Sequence, residues 1–320
     1  MIPNPVKDIL KKQHYSLVGK HSAVQICGWT KKSLLDNNFC YKQKFYGIES
    51  HRCCQMSAWL SCQNKCLHCW RAVELDFEKY LENECNTPKE IIEGCVKSQR
   101  KLLTGFKANE KINLKKFYEA HEPMHFAISL IGEATFYPEL AEFIQELRKQ
   151  GKTSFLVTNG LLPEKLIELQ KKNALPTQLY LSLLYPDEEL FRKITQNKIK
   201  NSWKKFNETI DLFSKLKTRR VVRLTVARNL NMEDKMLKSY TKILKRASSD
   251  FIEVKGYMAV GFSKKRLGHT RMPIHAEVKD YAEKLLKFLP EYNFLDEKAE
   301  SKVVLLGKDK EKMKIKQEEI

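Results

Sequence analysis

The sequence predicts an α/β fold: a partial (β/α)6 TIM barrel with a cysteine-bearing extension at its N-terminus. Three observations lead there. From about Cys54 onward, short runs rich in Val, Ile, Leu, Phe and Tyr alternate with amphipathic helical stretches, the pattern of parallel strands joined by crossover helices. Six such units can be counted, too few to close an eight-stranded barrel but enough for three quarters of one, with the active site at the strand C-termini. At 320 residues and 42% hydrophobic content, the chain can also bury one large core.

The expected strands are Gln55–Ser61, His125–Ile131, Thr153–Thr158, Gln178–Leu184, Val221–Ala227 and Phe251–Val260, each with the branched and aromatic residues that suit a pleated surface. Helices fill the gaps. Thr87-Pro88-Lys89-Glu90 reads as an N-cap, a first-turn proline and a capping-box glutamate, and Pro138 and Pro163 open two further helices. The chain divides into an N-terminal extension over 1–54, a barrel over 55–290 and a C-terminal extension with a charged tail over 291–320, the tail from Lys308 being a mixed-charge run expected to stay mobile.

The 58 Lys+Arg outnumber the 39 Asp+Glu and leave a formal charge of +19, which suggests a polyanionic partner, nucleic acid first. Highly charged surfaces also occur in thermophilic and salt-adapted proteins, so charge alone does not decide this. No stretch has the length of a signal-peptide core or a membrane span, so a soluble, cytoplasmic protein is expected. The nine cysteines all lie between Cys27 and Cys95. An odd, crowded set argues for metal ligation rather than a secreted disulfide framework.

Ser61-Cys62-Gln63-Asn64-Lys65-Cys66-Leu67-His68-Cys69-Trp70 follows the first expected strand and carries a Cys-x3-Cys-x2-Cys spacing. One tight loop can then supply three thiolates to three irons of a cubane. The fourth iron stays open to chelation by the amino and carboxylate groups of S-adenosylmethionine (SAM). A zinc knuckle is the competing reading, but three ligands without a fourth Cys or His at zinc spacing make a poor structural site. The spacing resembles that of the radical SAM superfamily, in which an aromatic residue usually precedes the third cysteine; His68 takes that place. Ile131-Gly132-Glu133 resembles the glycine-rich strand end that meets SAM's amino group in that superfamily, with the usual pair of glycines incomplete. Asn159 is a further candidate for SAM's polar end.

Cys27, Cys40 and Cys53 stand at two intervals of thirteen residues. Alone they would read as buried thiols. Their settings, Ile26-Cys27-Gly28-Trp29-Thr30, Cys40-Tyr41-Lys42-Gln43-Lys44-Phe45-Tyr46-Gly47-Ile48 and Ser50-His51-Arg52-Cys53-Cys54-Gln55-Met56, resemble the N-terminal motifs of the 4-demethylwyosine synthases, the wybutosine-pathway radical SAM enzymes. The resemblance continues through Cys62–Arg71, Gly132-Glu133-Ala134-Thr135, Thr158-Asn159-Gly160, Gln178-Leu179-Tyr180-Leu181-Ser182 and Glu253-Val254-Lys255-Gly256-Tyr257-Met258.

That resemblance implies a partial barrel of the radical SAM type and two 4Fe–4S clusters. Cys62, Cys66 and Cys69 would hold the one that binds SAM; Cys27, Cys40 and Cys53 would hold the other. It implies a lyase acting on phenylalanine tRNA at the N1-methylguanosine beside the anticodon (position 37), with pyruvate as two-carbon donor and a deoxyadenosyl radical as hydrogen acceptor. A lysine near the second cluster would form a Schiff base with pyruvate; Lys42 is the candidate and Lys44 the alternative. Eukaryotic relatives carry a flavodoxin-like domain before the barrel, and the chain resembles the shorter archaeal form, so a separate ferredoxin or flavodoxin is the expected reductant and a monomer the expected state. Cys85 and Cys95 fall outside the matched motifs and read as packing residues. Candidate phosphate binders are Lys198, Lys200, Lys204 and Lys205, then Arg219, Arg220 and Arg223, then Lys264, Lys265, Arg266 and Arg271, while Trp203 is either a base-stacking residue or a core anchor. Two other functions fit the same motifs: a radical SAM enzyme acting on a different RNA or small substrate, and a non-catalytic RNA-binding protein stabilised by zinc.

Overall fold

The computed structural model describes residues 2–74 and 85–320. Ten strands form one sheet: β1 (Ser16–Val18), β2 (Ser22–Gln25), β3 (Cys53–Ser57), β4 (His125–Ile128), β5 (Thr153–Thr158), β6 (Gln178–Leu183), β7 (Arg219–Val226), β8 (Phe251–Gly256), β9 (Asn293–Lys298) and β10 (Val303–Gly307). Their spatial order is β1-β2-β3-β4-β5-β6-β7-β8-β10-β9. The six central strands, β3 to β8, are those expected from the sequence, and each pairs in parallel with its neighbour in the chain. Parallel neighbours need long crossovers. Helices supply them, among them Pro88–Leu103, Leu140–Lys149, Pro163–Lys171, Ser202–Phe213 and Leu237–Ala247.

The first of these starts as its sequence dictates. Thr87 Oγ1 accepts from the Glu90 amide at 3.4 Å while the Glu90 carboxylate accepts from the Thr87 amide at 2.8 Å, a reciprocal capping box. Cys95 on this helix is fully buried against Cys54 and its neighbours, a packing role.

Strand side chains point alternately to the two faces of a sheet. The outward set, including Leu156, Leu181, Val222 and Val254, packs against helix residues such as Phe143, Leu166, Phe206 and Leu244. The inward set, Phe155, Tyr180, Val221, Phe251, Val303 and Leu305, closes over Tyr41, Phe45 and Tyr46 from the helix Tyr41–Tyr46. That short helix therefore fills one level of the barrel interior.

Of the four outer strands, β1 and β2 escape the sequence reading because they are short and β9 because it carries charge, while β10 is a buried apolar run inside the segment read as a C-terminal extension. β1 and β2 pair antiparallel to each other and onto β3, and β10 runs antiparallel to both β8 and β9. The sheet consequently runs through both divisions drawn from sequence, near residues 54 and 290. Contrary to expectation, the C-terminal tail is docked. Met313 is buried with Phe251 and Tyr46, the Ile315 amide donates to the Tyr46 carbonyl at 3.0 Å, and Glu319 pairs with Arg219 at 3.1 Å. A charged composition favours mobility only where no apolar anchor exists. Among the described residues, no helix is long and apolar enough to cross a membrane.

Replacing Met313→Ala should release the tail's anchor at a cost of about 2 kcal/mol, read as a lowered denaturant midpoint, with faster proteolysis confined to the segment after Gly307.

Candidate active site

Six parallel strands end at one mouth, and the loop following β3 crosses it. Cys62, Cys66 and Cys69 are half-buried there and line a cavity with His68, Gly132, Glu133, Asn159 and Ser182. The loop is held by its backbone: the Lys65 and Leu67 amides donate to the Thr195 and Ile194 carbonyls at 2.8 and 2.9 Å. Two guanidiniums tie the rest. Arg71 donates to the carbonyls of Asn64 at 2.5 Å and Cys62 at 3.2 Å. Arg266, from the far side of the barrel, donates to the Leu67 carbonyl at 3.1 Å and also to that of Cys69.

These thiols are not placed for a single ion. A tetrahedral zinc with Zn–S bonds of about 2.3 Å needs its sulfurs roughly 3.8 Å apart. Among the described residues no cysteine trio has its sulfurs within 4.8 Å of one another. Three thiols lining one cavity are the donor set that a cubane with one open iron takes. Burial pushes the Cys62 thiol up to about 12, against the opposing pull of Arg71, so metal binding there must displace a proton.

The glycine-rich strand end has a specific geometry. Gly132 has φ +81°, and a Cβ at that position would overlap the Trp59 carbonyl oxygen and the Leu60 backbone, so only glycine fits. Glu133 does not offer a free carboxylate. Its Oε1 accepts from the Thr135 and Thr158 hydroxyls, both at 2.7 Å, and its Oε2 from the Asn159 amide at 2.8 Å. Burial raises its pKa, and these donors oppose the rise. The side chain thus clasps the ends of β4 and β5 and sets the backbone of Asn159, whose Nδ2 lies 3.6 Å from the Cys62 sulfur. His68 is different. Burial, then the nearby Arg266, lowers it to about 4, and its Nδ1 is buried with no partner among the described residues. A neutral ring with an unpaired polar atom on the cavity wall is suited to a ligand.

The N-terminal cysteines form a second group one level deeper. Cys40 caps the helix Tyr41–Tyr46, its sulfur accepting from the Lys42 amide at 3.5 Å, and Cys53 opens β3. The Cys40 thiol is pushed up to about 11 by burial and by Cys27, with Lys42 opposing; Cys53 feels burial, Lys42, Cys27 and Cys40 in turn. Cys40 and Cys53 therefore lie beside Lys42, and Cys27 lies beside those two cysteines. This lysine is only 7% exposed, with its Nζ 4.6 and 4.8 Å from the ring centres of Phe155 and Tyr180. Burial, then the positive charge of Arg223, lowers its pKa. Lys44 faces outward and pairs with Asp296 at 2.7 Å. The structure thus separates the two candidate lysines by environment.

Val157 and Ser182 line the cysteine cavity and stand two residues beyond Phe155 and Tyr180 on the same inward face, an offset of about 7 Å along the strands. Lys42 is accordingly stacked beneath that cavity, along the barrel. Sequence reasoning missed Glu253 and Lys255 beside it and took Arg223 for a phosphate binder. Glu253 accepts from Tyr41 and Tyr46 at 3.1 and 2.8 Å and from Arg223 at 2.9 Å, and burial followed by Arg223 lowers Lys255 to about 8. The signal available was the alternation itself, because Arg223, Glu253 and Lys255 interrupt apolar strands at inward positions.

The basic candidates scatter. Lys264 and Lys265 are exposed near the mouth on the helix Ser263–Leu267, with Arg271 close by, donating to the Asn229 carbonyl at 2.6 Å. Arg266 turns inward to the cysteine loop. Arg219 and Arg220 open β7 at the opposite end of the barrel, paired with Glu319 and Asp250, and Arg223 is inside it. Lys198, Lys200 and Lys204 are exposed, while Lys205 pairs with Glu164 at 3.3 Å. Trp203 packs on Phe191 and Phe206 with ring centres 5.5 and 5.6 Å away, as a core anchor. Trp70 at the cavity mouth is the exposed aromatic there, at 37%.

Residues 57–239 match the radical SAM superfamily, and residues 246–308 match the family described as wyosine base formation. The S-adenosyl-L-methionine-dependent tRNA 4-demethylwyosine synthase of Pyrococcus abyssi is 44% identical over 96% of this chain and 90% of its own length. The chain belongs to the 4-demethylwyosine synthase family. The synthase of Methanocaldococcus jannaschii is 38% identical over 98% of this chain and 99% of its own. Among solved structures, one described as TYW1 with a lysine-pyruvate adduct bound is 36% identical, covers 99% of both chains and superposes with a TM-score of 0.85. As a member of the 4-demethylwyosine synthases, the protein is a radical SAM enzyme, of a superfamily that works with SAM and a 4Fe–4S cluster. The N-terminal cysteines and Lys42 precede both matched segments, within the span aligned to the relatives.

Gly132→Ala should be incompatible with this strand end, its left-handed backbone alone costing about 1–3 kcal/mol. The thermal midpoint and the iron retained after anaerobic reconstitution should both fall, whereas Gly105→Ala, where nothing lies within 4 Å of an added Cβ, should leave both unchanged.

Proposed function

We propose that this enzyme converts N1-methylguanosine, at position 37 of phenylalanine tRNA, into the tricyclic base 4-demethylwyosine, with pyruvate giving two carbons. The observation that carries this reading is the buried Lys42, stacked beneath the Cys62–Cys69 cavity, with Cys40 and Cys53 beside it and Cys27 beside those two. A methylated base entering from above and a 2-oxoacid held from below would meet inside one barrel. The TYW1 structure with its lysine-pyruvate adduct supports a covalent lysine in this role.

The cluster on Cys62, Cys66 and Cys69 supplies, when bound, the electron that splits SAM's sulfonium C–S bond. The chain's own residues do the placing. Gly132 brings strand backbone close to the cavity, His68 offers a neutral ring, and Glu133 fixes Asn159. Arg71 and Arg266 hold the loop carbonyls so the three sulfurs keep their spacing. Lys42, its amine made less costly to deprotonate by burial, attacks the C2 carbonyl of pyruvate; the imine forms with loss of one water. Cys27, Cys40 and Cys53 would hold a second 4Fe–4S cluster, a further store of electrons close to this lysine. At the rim, Lys264 and Lys265 neutralise tRNA phosphates, with Arg271 beside them, and Trp70 stacks on a base of the opened anticodon loop. A ferredoxin or flavodoxin supplies electrons from outside.

Reduced, anaerobically reconstituted protein given SAM, pyruvate and tRNA should yield the tricyclic nucleoside, seen by mass, only when the tRNA bears the N1-methyl group; release of 5′-deoxyadenosine without that product would assign a different substrate. Lys42→Ala should abolish both product and the borohydride-trapped pyruvate adduct, while Lys44→Ala keeps both. Because the Lys42 pKa is lowered, its uncharged fraction at a given pH exceeds that of a surface lysine, so trapping should persist towards neutral pH. Cys27→Ala, Cys40→Ala or Cys53→Ala should each remove about half of the bound iron; a colourless protein holding zinc alone would overturn the assignment of either cluster.

A further inference from the structure

Arg223 was a phosphate-binding candidate on sequence grounds, yet its side chain is in the barrel interior and only 17% exposed. Its Nε donates to Glu253 at 2.9 Å and one Nη to the Tyr41 hydroxyl at 2.8 Å. Tyr41 and Tyr46 donate in turn to Glu253. The guanidinium is therefore locked in orientation while Nη1 has no hydrogen-bond partner among the described residues and keeps its donors for something else. Its central carbon lies 4.4 Å from the Tyr180 ring centre, the same ring that lies 4.8 Å from the Lys42 amine.

Resting on the reading of Lys42 as the pyruvate-binding lysine, we infer that Arg223 binds the carboxylate of that 2-oxoacid and selects an acid over a neutral ketone. A guanidinium fork meets a carboxylate through parallel N–H bonds, and Glu253 with Tyr41 aims it. The aromatic walls of Phe155 and Tyr180 leave little room for a long side chain on the substrate.

The test uses the full reconstituted protein and borohydride trapping, read by intact mass, as a function of pyruvate or of pyruvamide, its uncharged counterpart of nearly equal size. Wild-type protein should trap pyruvate at much lower concentration than pyruvamide. In Arg223→Gln/Glu253→Gln, which removes both charges together and leaves no unpaired carboxylate, half-saturation by pyruvate should rise about ten- to a hundredfold while that by pyruvamide stays nearly constant. Arg223→Lys keeps the charge but loses the fork; it should fall between the two, and it decides the matter if the double variant fails to bind iron. An unchanged pyruvate dependence, or an equal rise for both ketones, would overturn the assignment of Arg223 and leave Lys42 in place. If wild-type protein traps no adduct at all, the lysine reading fails and this inference falls with it.

Discussion

The strict two-residue alternation of the parallel strands is the constraint on which the site depends. In β5 and β6 it sends Leu156, Leu179 and Leu181 outward into the helical layer and leaves Phe155, Val157, Tyr180 and Ser182 inward. Two levels result inside the barrel, one lined by cysteines of the loop after β3 and one by those of the N-terminal segment. A register slip of one residue would exchange every inward and outward side chain, putting leucines where the lysine chamber is. The outer apolar face thus fixes the inner polar one.

Polar groups inside this barrel come as closed sets. Glu133 takes donors from two strand ends, and Glu253 takes them from Arg223, Tyr41 and Tyr46. Burying a carboxylate is costly unless its lone pairs are met, and both are met by residues that also touch the proposed chemistry. Glu253 shows the balance: burial pushes its pKa up, but Arg223 and Lys42 hold it below the ordinary value. Such networks limit the motions open to the side chains that must stay placed, since shifting Arg223 would strand a fully buried acid.

How legible this was in the sequence differs by level. The six central strands could be read because parallel strands buried on both faces carry near-continuous apolar runs. β9 could not, since Asn293-Phe294-Leu295-Asp296-Glu297-Lys298 is an edge strand with charge, a usual guard against further pairing. The tail was misjudged because its attachments, Met313, Ile315 and Glu319, are single residues spaced through a charged run. The Cys62–Cys69 triplet could be singled out by its spacing, because spacing within one loop is a local property, whereas Cys27, Cys40 and Cys53 stood out only through the motifs around them. The chamber around Lys42 is assembled from β5, β6, β7, β8 and the helix Tyr41–Tyr46, and no window of sequence holds it.

The formal charge of +19 suggested RNA at the outset, but the positions of individual cations divide that number into different jobs. Arg71 and Arg266 hold a loop, Arg219 holds the tail, Arg220 is bound to Asp250, and Arg223, Lys42 and Lys255 belong to the interior. What remains for a polyanion is mostly lysine, exposed on Lys264 and Lys265 and around Lys198. Lysine is a mobile point charge suited to neutralising a phosphate backbone, whereas arginine's fixed fork suits groups that must be held in place. The partition follows that chemistry: arginines where geometry matters inside the fold, lysines where an RNA backbone would slide into position.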